Sequence, residues 1–291
     1  MSAASGVCNI PAGTPMQART TWSTWPVKRW EGAQTTCGID RLAEEVPVAL
    51  VFNGISHAVM LATPADLEDF ALGFSLSEGI LRHRNELYDI EVEPLDNGIQ
   101  VLMHIATERF VRLKERRRNL TGRTGCGLCG VETLDQAVRR PAPVKSDVRI
   151  DGATVHRAMA ALTERQALQK ITGAVHAAGW VGPDGQLHLV REDVGRHNAL
   201  DKLLGAMADE DLAGDDGFVV MTSRASYEIV QKAAMRGVGL VAAISAPTAL
   251  AVRIADEAGV TLLGFTRGGR HVIYAHPQRL IATYSGTSHE R

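Results

Sequence analysis

Residues 217–266 read GFVVMTSRASYEIVQKAAMRGVGLVAAISAPTALAVRIADEAGVTLLGFT, and this stretch decides the fold. Three short, nearly all-apolar runs, GFVVMTS, GLVAAIS and VTLLGFT, alternate with SYEIVQKAAMRG and PTALAVRIADEAG. A short apolar run without polar alternation is the pattern of a strand buried on both faces, and the intervening segments have helical length. Strand and helix alternating in this way predict a mostly parallel, helix-covered sheet, so the fold class is α/β.

Working outward, DGATVHRAMAALTERQ (151–166) and DVGRHNALDKLLGAM (193–207) read as helices. GAVHAAGWV and QLHLV read as strands joined at Gly182-Pro183-Asp184-Gly185. In the first half, VPVALVFNGISHAVMLA places two β-rich runs around Asn53-Gly54, the dipeptide that tolerates positive φ in a type I′ turn. Thr63 is read as the N-cap of the next helix, with Pro64 at its first position and Asp66 three after the cap. Leu67, Phe70, Ala71 and Phe74 then follow at helical spacing. A second hairpin turns at Asn97-Gly98. These readings divide the chain into an irregular N-terminal arm (1–40), a smaller N-terminal α+β subdomain (41–145) and a C-terminal α/β domain (146–285). The arm mixes Pro, Gly, Thr and Ser without a period.

The 291 residues carry 31 Lys and Arg against 33 Asp and Glu, a net charge of -2, so the molecule as a whole is no nucleic-acid binder. No window reaches the roughly 18 apolar residues of a membrane helix, and no basic-then-apolar leader opens the sequence. Four cysteines in a chain of this length predict free thiols and a cytoplasmic protein rather than a disulfide scaffold.

In an open α/β sheet, ligands bind at the carboxyl ends of the strands. Here those ends carry REDVGRHN (191–198), TSRAS (222–226), SAPT (245–248) and TRGGR (266–270). The content is rich in donors: Arg191, Arg196, His197, Asn198, Ser223, Arg224, Ser226, Arg267, Arg270 and the amides around Gly268-Gly269. Arginine forks and helix-start amides suit phosphate oxygens, so a phosphorylated, nucleotide-sized ligand is expected there.

A second feature is GRTGCGLCG (122–130), where Cys126 and Cys129 stand in a C-x-x-C spacing among glycines. Seven basic residues between Arg109 and Arg123, among them Arg116, Arg117 and Arg118, stand against Glu115 alone. Nowhere is there a second C-x-x-C or an H-x(3 to 5)-H to complete a zinc site, so no metal is expected. The flanking glycines make a poor helix start for a thioredoxin-type pair. Cationic surroundings raise the thiolate fraction and glycines let the loop move, which suits carriage of a sulfur as a persulfide. Half a zinc site shared with a partner and thiol-disulfide redox chemistry remain the alternatives.

GRTGCGLCG, HAAG, REDVGRHNALDKLLG, TSRASYEIVQKAA and the run from SAPTALAVRIADEAGVTLLGFTRGGR together resemble the FdhD-type sulfur carriers. The resemblance covers about residues 40 to 285. It implies a homodimer with a cytidine-deaminase-like α/β core that is required for formate dehydrogenase activity. Such a protein takes sulfur from a cysteine desulfurase and transfers it to the cofactor bis-molybdopterin guanine dinucleotide. The resemblance places the persulfide on Cys126, with Cys129 as its companion, and the cofactor contacts on Phe265, Thr266, Arg267, Gly268, Gly269 and Arg270. Thr222, Ser223, Arg224 and Ser226 are expected alongside them, and GDP should serve as a mimic. A zinc deaminase needs H-x-E and P-C-x-x-C. Here His176-Ala177-Ala178 lacks the glutamate and TSRAS lacks cysteine, so deamination is not expected. A cofactor-binding chaperone without sulfur transfer is the competing reading of the same resemblance.

Overall fold

The apolar runs 218–221, 240–243 and 261–267 form the centre of a six-stranded sheet. The computed structural model describes residues 20–120 and 140–281, leaving out the side chains of 116–120. Fourteen strands are described: β1 (Trp22–Glu31), β2 (Gln34–Ala43), β3 (Val46–Phe52), β4 (Ile55–Ala62), β5 (Leu87–Leu95), β6 (Gly98–Ile105), β7 (Ile150–Asp151), β8 (His176–Val181), β9 (Leu187–Asp193), β10 (Phe218–Met221), β11 (Leu240–Ala243), β12 (Thr261–Arg267), β13 (Arg270–Ala275) and β14 (Leu280–Ile281). The helices are α1 (Leu67–Ser77), α2 (Thr107–Leu120), α3 (Gly152–Arg165), α4 (Ala167–Thr172), α5 (Arg196–Asp209), α6 (Tyr227–Met235) and α7 (Ala249–Ala258).

The large sheet has the order β13-β12-β11-β10-β8-β9. Only the β10–β11 and β11–β12 pairs are parallel; β12–β13, β10–β8 and β8–β9 pair antiparallel. The sheet is therefore mixed, not mostly parallel, because the turns at 182–185 and 268–269 are too short for a crossover and must make hairpins. Val219, Met221, Val241 and Ala243 face a core shared with α5, α6 and α7. Phe218, Val220, Leu240 and Ala242 face the opposite core against α3. Both faces are covered, which is why these strands carry no polar alternation.

The smaller sheet, order β4-β3-β6-β5, buries Val48, Leu50, Phe52 and Val101 against Phe70, Leu81 and Leu113. Its first hairpin turns at Asn53 (φ 44°) and Gly54 (φ 81°), as the sequence predicts. The second turns one residue earlier than predicted: Leu95 pairs with Gly98, leaving Asp96 and Asn97 as the turn. α1 also begins later, with Asp66 as its N-cap in the left-handed region and no side-chain cap. Thr63 does not cap it. Its backbone N–H donates to Asp193 (2.9 Å) and its hydroxyl accepts from the N–H of Val194 (3.1 Å), contacts 130 residues or more away.

Trp22–Ala43, which includes the second half of the predicted irregular arm, forms the hairpin β1–β2, paired in register from Trp22↔Ala43 to Glu31↔Gln34 around Gly32 at φ 59°. The sequence hides it because neither face of this two-stranded ribbon is buried, so no period-2 alternation marks it. Cys37 is exposed on β2. Cys8, Cys126 and Cys129 lie outside the described residues, as do the side chains of Arg116, Arg117 and Arg118. Two members of the basic run are internally paired instead: Arg109 is buried on Glu86 (2.8 Å) and Arg112 reaches Glu108 (2.9 Å).

The two units meet where α1 crosses α5. A Cβ on Gly73 would overlap the carbonyl of Asp201, and one on Gly205 would overlap the carbonyl of Asp69. Around that crossing Arg191 holds Asp69 (2.7 Å), Ser77 donates to Asp201 (2.7 Å), and Lys232 bonds both Asp201 and Glu78. The opposed atoms at the crossing are backbone and cannot yield as side chains do. Gly205→Ala is therefore expected to destabilise the chain by about 3 kcal/mol or more, at the upper end of overpacking costs, whereas Ala206→Gly beside it should cost about 1 kcal/mol through helix propensity. Urea unfolding of the two variants checks the ranking; equal midpoints would show that the helices do not cross this closely.

Candidate functional site

The carboxyl ends of β10, β11 and β12 converge because their loops bond one another. Ala225 accepts from the N–H of Thr248 (3.0 Å), Ala225 and Pro247 bridge, and Ser245 accepts from the N–H of Phe265 (3.2 Å). Gly264 permits this stitching, since a Cβ there would lie 2.9 Å from Pro247 and 3.1 Å from the Ser245 carbonyl. The amino end of the antiparallel β8 joins the same rim, with Thr222 donating its N–H to Ala177 (3.0 Å) and its hydroxyl accepting from Ala177 (2.8 Å). His176 therefore sits beside Thr222.

Beyond Gly264 the β12–β13 register shifts, and Phe265 takes φ 52°. That conformation is costly for an aromatic residue. It turns Phe265 outward and the fully buried Thr266 inward. Arg267 then pairs with Arg270 across Gly268 (φ 59°) and Gly269 (φ 72°), the two positive angles of a type I′ turn. A Cβ on either glycine would meet nothing within 4 Å, so the backbone there is open to an approaching group.

The side of the rim formed by the starts of α5 and α6 is cationic, with Arg196 and Arg224 close enough to repel. α5 starts at Arg196 with Gly195 as its N-cap, and α6 starts after Ser226; neither helix end has a side-chain cap. Ser226 does not cap because its hydroxyl lies 2.9 Å from His197 Nε2, which also meets Glu228 at 2.9 Å. The His197 bond, more than its neighbours, holds the Glu228 carboxyl below the ordinary range. Serine and carboxylate share one ring nitrogen, so this is no Ser-His-acid triad, which needs opposite nitrogens. Burial pushes the Arg196 guanidinium down from its ordinary value, and the nearby Arg224 pushes it further. His176 is likewise lowered by burial, with Arg196 adding to it. Among the described residues, three buried side-chain atoms lack any hydrogen-bond partner, and two are here: Arg196 Nε and Thr266 Oγ1. Two like charges brought together, two uncapped helix starts and the unused Arg196 Nε give this rim the chemistry that suits an anion.

Of the predicted site residues, this rim gathers Thr222, Ser223, Arg224, Ser226 and Phe265 to Arg270. Thr222 and Ser223 use their hydroxyls on the fold, the latter donating to the Arg224 carbonyl (3.0 Å). Two other predicted rim donors are spent elsewhere: Arg191 on Asp69, and Asn198 on the Leu61 carbonyl (2.8 Å) and Asp193 (3.0 Å). His176 and Glu228 are added by the structure. His176 stood in the quoted HAAG motif; Glu228, an acid in the first turn of a helix, carried no sequence signal. Among the described residues no group of three or more His, Cys, Asp or Glu is placed to hold a metal, and no helix is long and apolar enough to cross a membrane.

The family model described as FdhD/NarQ family matches residues 43–281. The chain belongs to that family. It is 60% identical over 260 residues to the sulfur carrier protein FdhD of Cupriavidus necator, covering 89% of this chain and 90% of the relative. With the sulfur carrier protein FdhD of Bordetella bronchiseptica it shares 56% over 243 residues, covering 84% and 88%. A crystal structure of a candidate formate dehydrogenase accessory protein from Desulfotalea psychrophila superposes with a TM-score of 0.72 at 22% identity, covering 90% of this chain and all of that one, and shares the fold. The match begins at residue 43, so all of β1 and nearly all of β2 precede it, while both halves of the rim lie inside it.

Arg196 is partly desolvated with an unused Nε, so Arg196→Met should leave the unfolding midpoint unchanged or slightly higher. Pyrophosphate at millimolar concentration should raise the midpoint of the parent by a few degrees and that of the variant hardly at all. Equal shifts in a thermal-unfolding assay would place the anion elsewhere.

Proposed function

We propose that this chain is a sulfur carrier and sulfurtransferase of formate dehydrogenase maturation. It takes sulfur from a cysteine desulfurase and passes it to bis-molybdopterin guanine dinucleotide, its substrate, before that molecule enters a molybdenum-dependent formate dehydrogenase. Support for the sulfur half comes from the Cys126/Cys129 pair and from the name that its relatives carry. The observation that carries the nucleotide half is the rim, where Arg196 and Arg224 lie close enough to repel and Arg267 pairs with Arg270 across the open backbone at Gly268-Gly269. A homodimer with a cytidine-deaminase-like core, working in the cytoplasm, completes this reading.

The chemistry divides between the two parts. The Cys126 thiolate attacks the outer sulfur of the donor's persulfide; the donor's S–S bond breaks, its thiolate leaves, and Cys126 holds the outer sulfur. The rim binds and orients the recipient. Arg267 and Arg270 pair with pyrophosphate oxygens, and Phe265 offers its exposed ring to the base. Glycines on both sides of Cys126 in the sequence leave little side-chain bulk beside the thiol.

Incubation with a desulfurase and cysteine should add roughly 32 Da to the intact protein, removable by reductant, and Cys126→Ala should not gain it. Uptake by that variant would transfer the role to Cys129. A variant that loses formate dehydrogenase activation while still binding the cofactor separates sulfur transfer from a chaperone, which would lose little.

GDP alone should bind the wild type and Cys126→Ala equally, because the nucleotide is recognised apart from the sulfur. Replacing both Arg267 and Arg270 by Ala should weaken it at least about tenfold, the effect of losing one or two charge-assisted bonds. Calorimetric titration reads this directly; undiminished binding to the double variant would remove the hairpin from the site.

A further inference from the structure

His156, in the second turn of α3, and His271, the second residue of β13, meet although 115 positions separate them. His156 Nε2 and His271 Nδ1 are 2.9 Å apart, with the rings inclined at 55°. Both side chains are half-buried. Gly152 makes room for the contact, since a Cβ there would lie 3.1 Å from His271 Cε1. Burial, and then the neighbouring His156, hold His271 below the ordinary imidazole range.

We propose that His156 and His271 form a two-imidazole site for a divalent transition ion of the nickel or copper class. An ion about 2.0–2.1 Å from each nitrogen would, at this 2.9 Å separation, subtend an angle of about 90°. That is the angle of adjacent positions in a tetragonal or octahedral shell. A tetrahedral ion such as zinc would need the nitrogens about 3.3 Å apart. The described residues supply no third His, Cys, Asp or Glu ligand, so water fills the remaining positions on the open side. Such an ion would staple the edge strand β13 to α3. Because Arg270 immediately precedes His271, the staple would also steady the base of the hairpin that carries Arg267 to Arg270.

The test uses the untagged full-length chain with Cys8, Cys37, Cys126 and Cys129 replaced by Ser, which removes thiolate ligands. Calorimetry with Ni(II) is expected to show one site of micromolar strength, weakened at least tenfold by His156→Asn and by His271→Asn, and weaker binding of Zn(II). Ni(II) should raise the unfolding midpoint of the parent and not of either variant. Should a variant fold poorly, Cu(II) electron paramagnetic resonance on the His-intact protein still reads the site, through coupling to two imidazole nitrogens. Unchanged Ni(II) affinity in both variants, no binding at millimolar Ni(II), or a Cu(II) spectrum without two nitrogen couplings would leave the pair as an imidazole–imidazole hydrogen bond and overturn the site.

Discussion

The α5 side of the rim, and its tie to the smaller subdomain, depend on one buried carboxylate. Asp193, at the end of β9, is fully buried and accepts four bonds: from Lys202 (2.8 Å), the N–H of Thr63 (2.9 Å), the N–H of Gly195 (2.7 Å) and Asn198 (3.0 Å). A buried ion pair of this kind adds little net stability, because desolvation offsets most of the attraction, but removing one partner leaves an uncompensated charge costing about 3–5 kcal/mol. What it supplies is register. Asp193 fixes Gly195, the N-cap of α5, and so fixes the direction in which Arg196 and His197 leave the helix start. Through Thr63 it ties that same point to the other subdomain.

The glycine crossing and the Asp193 cluster act together. Gly73 and Gly205 let α1 and α5 approach backbone to backbone, while Asp69–Arg191 and Ser77–Asp201–Lys232 flank the crossing with satisfied polar groups. Apolar packing alone would tolerate sliding of one helix along the other. Directional bonds on both sides do not, so the rim residues of α5 are held to the precision that ligand recognition needs. Arg191 and Asn198, which the sequence offers as ligand donors, are used for this purpose instead.

The central strands were legible because burial on both faces leaves unbroken apolar runs, and the Asn53-Gly54 hairpin because its turn needs two positive φ angles. The loop contents at the strand ends were legible for the same reason: their location follows from strand direction. Features set by distant contacts were not. Thr63 looks like a local cap but serves Asp193, Glu228 looks like a solvated acid but fixes His197, and the His156–His271 contact has no sequence spacing to reveal it. The β1–β2 ribbon escaped for the opposite reason: with little to bury it, its residues show no periodic signature.

Phe265 shows how the rim trades stability for shape. A non-glycine residue in the left-handed region costs on the order of 1–2 kcal/mol, a strain that Phe265→Gly would relieve. The bulge between Gly264 and Arg267 enforces it: the chain must shift register there so that Arg267 and Arg270 can close the type I′ turn, and the extra residue has to leave the ladder. With φ positive, the ring points outward beside the arginines while Thr266 turns its hydroxyl into the interior without a partner. Strain at Phe265, an orphaned hydroxyl at Thr266 and a partly desolvated charge at Arg196 are three separate costs on one rim. None of them is repaid by the fold itself, since Asp193, the glycine crossing and the two cores hold without them. A binding partner that accepts from Arg196 and covers Phe265 would offset two of the three at once, which is the physical support for the anion site proposed at this rim.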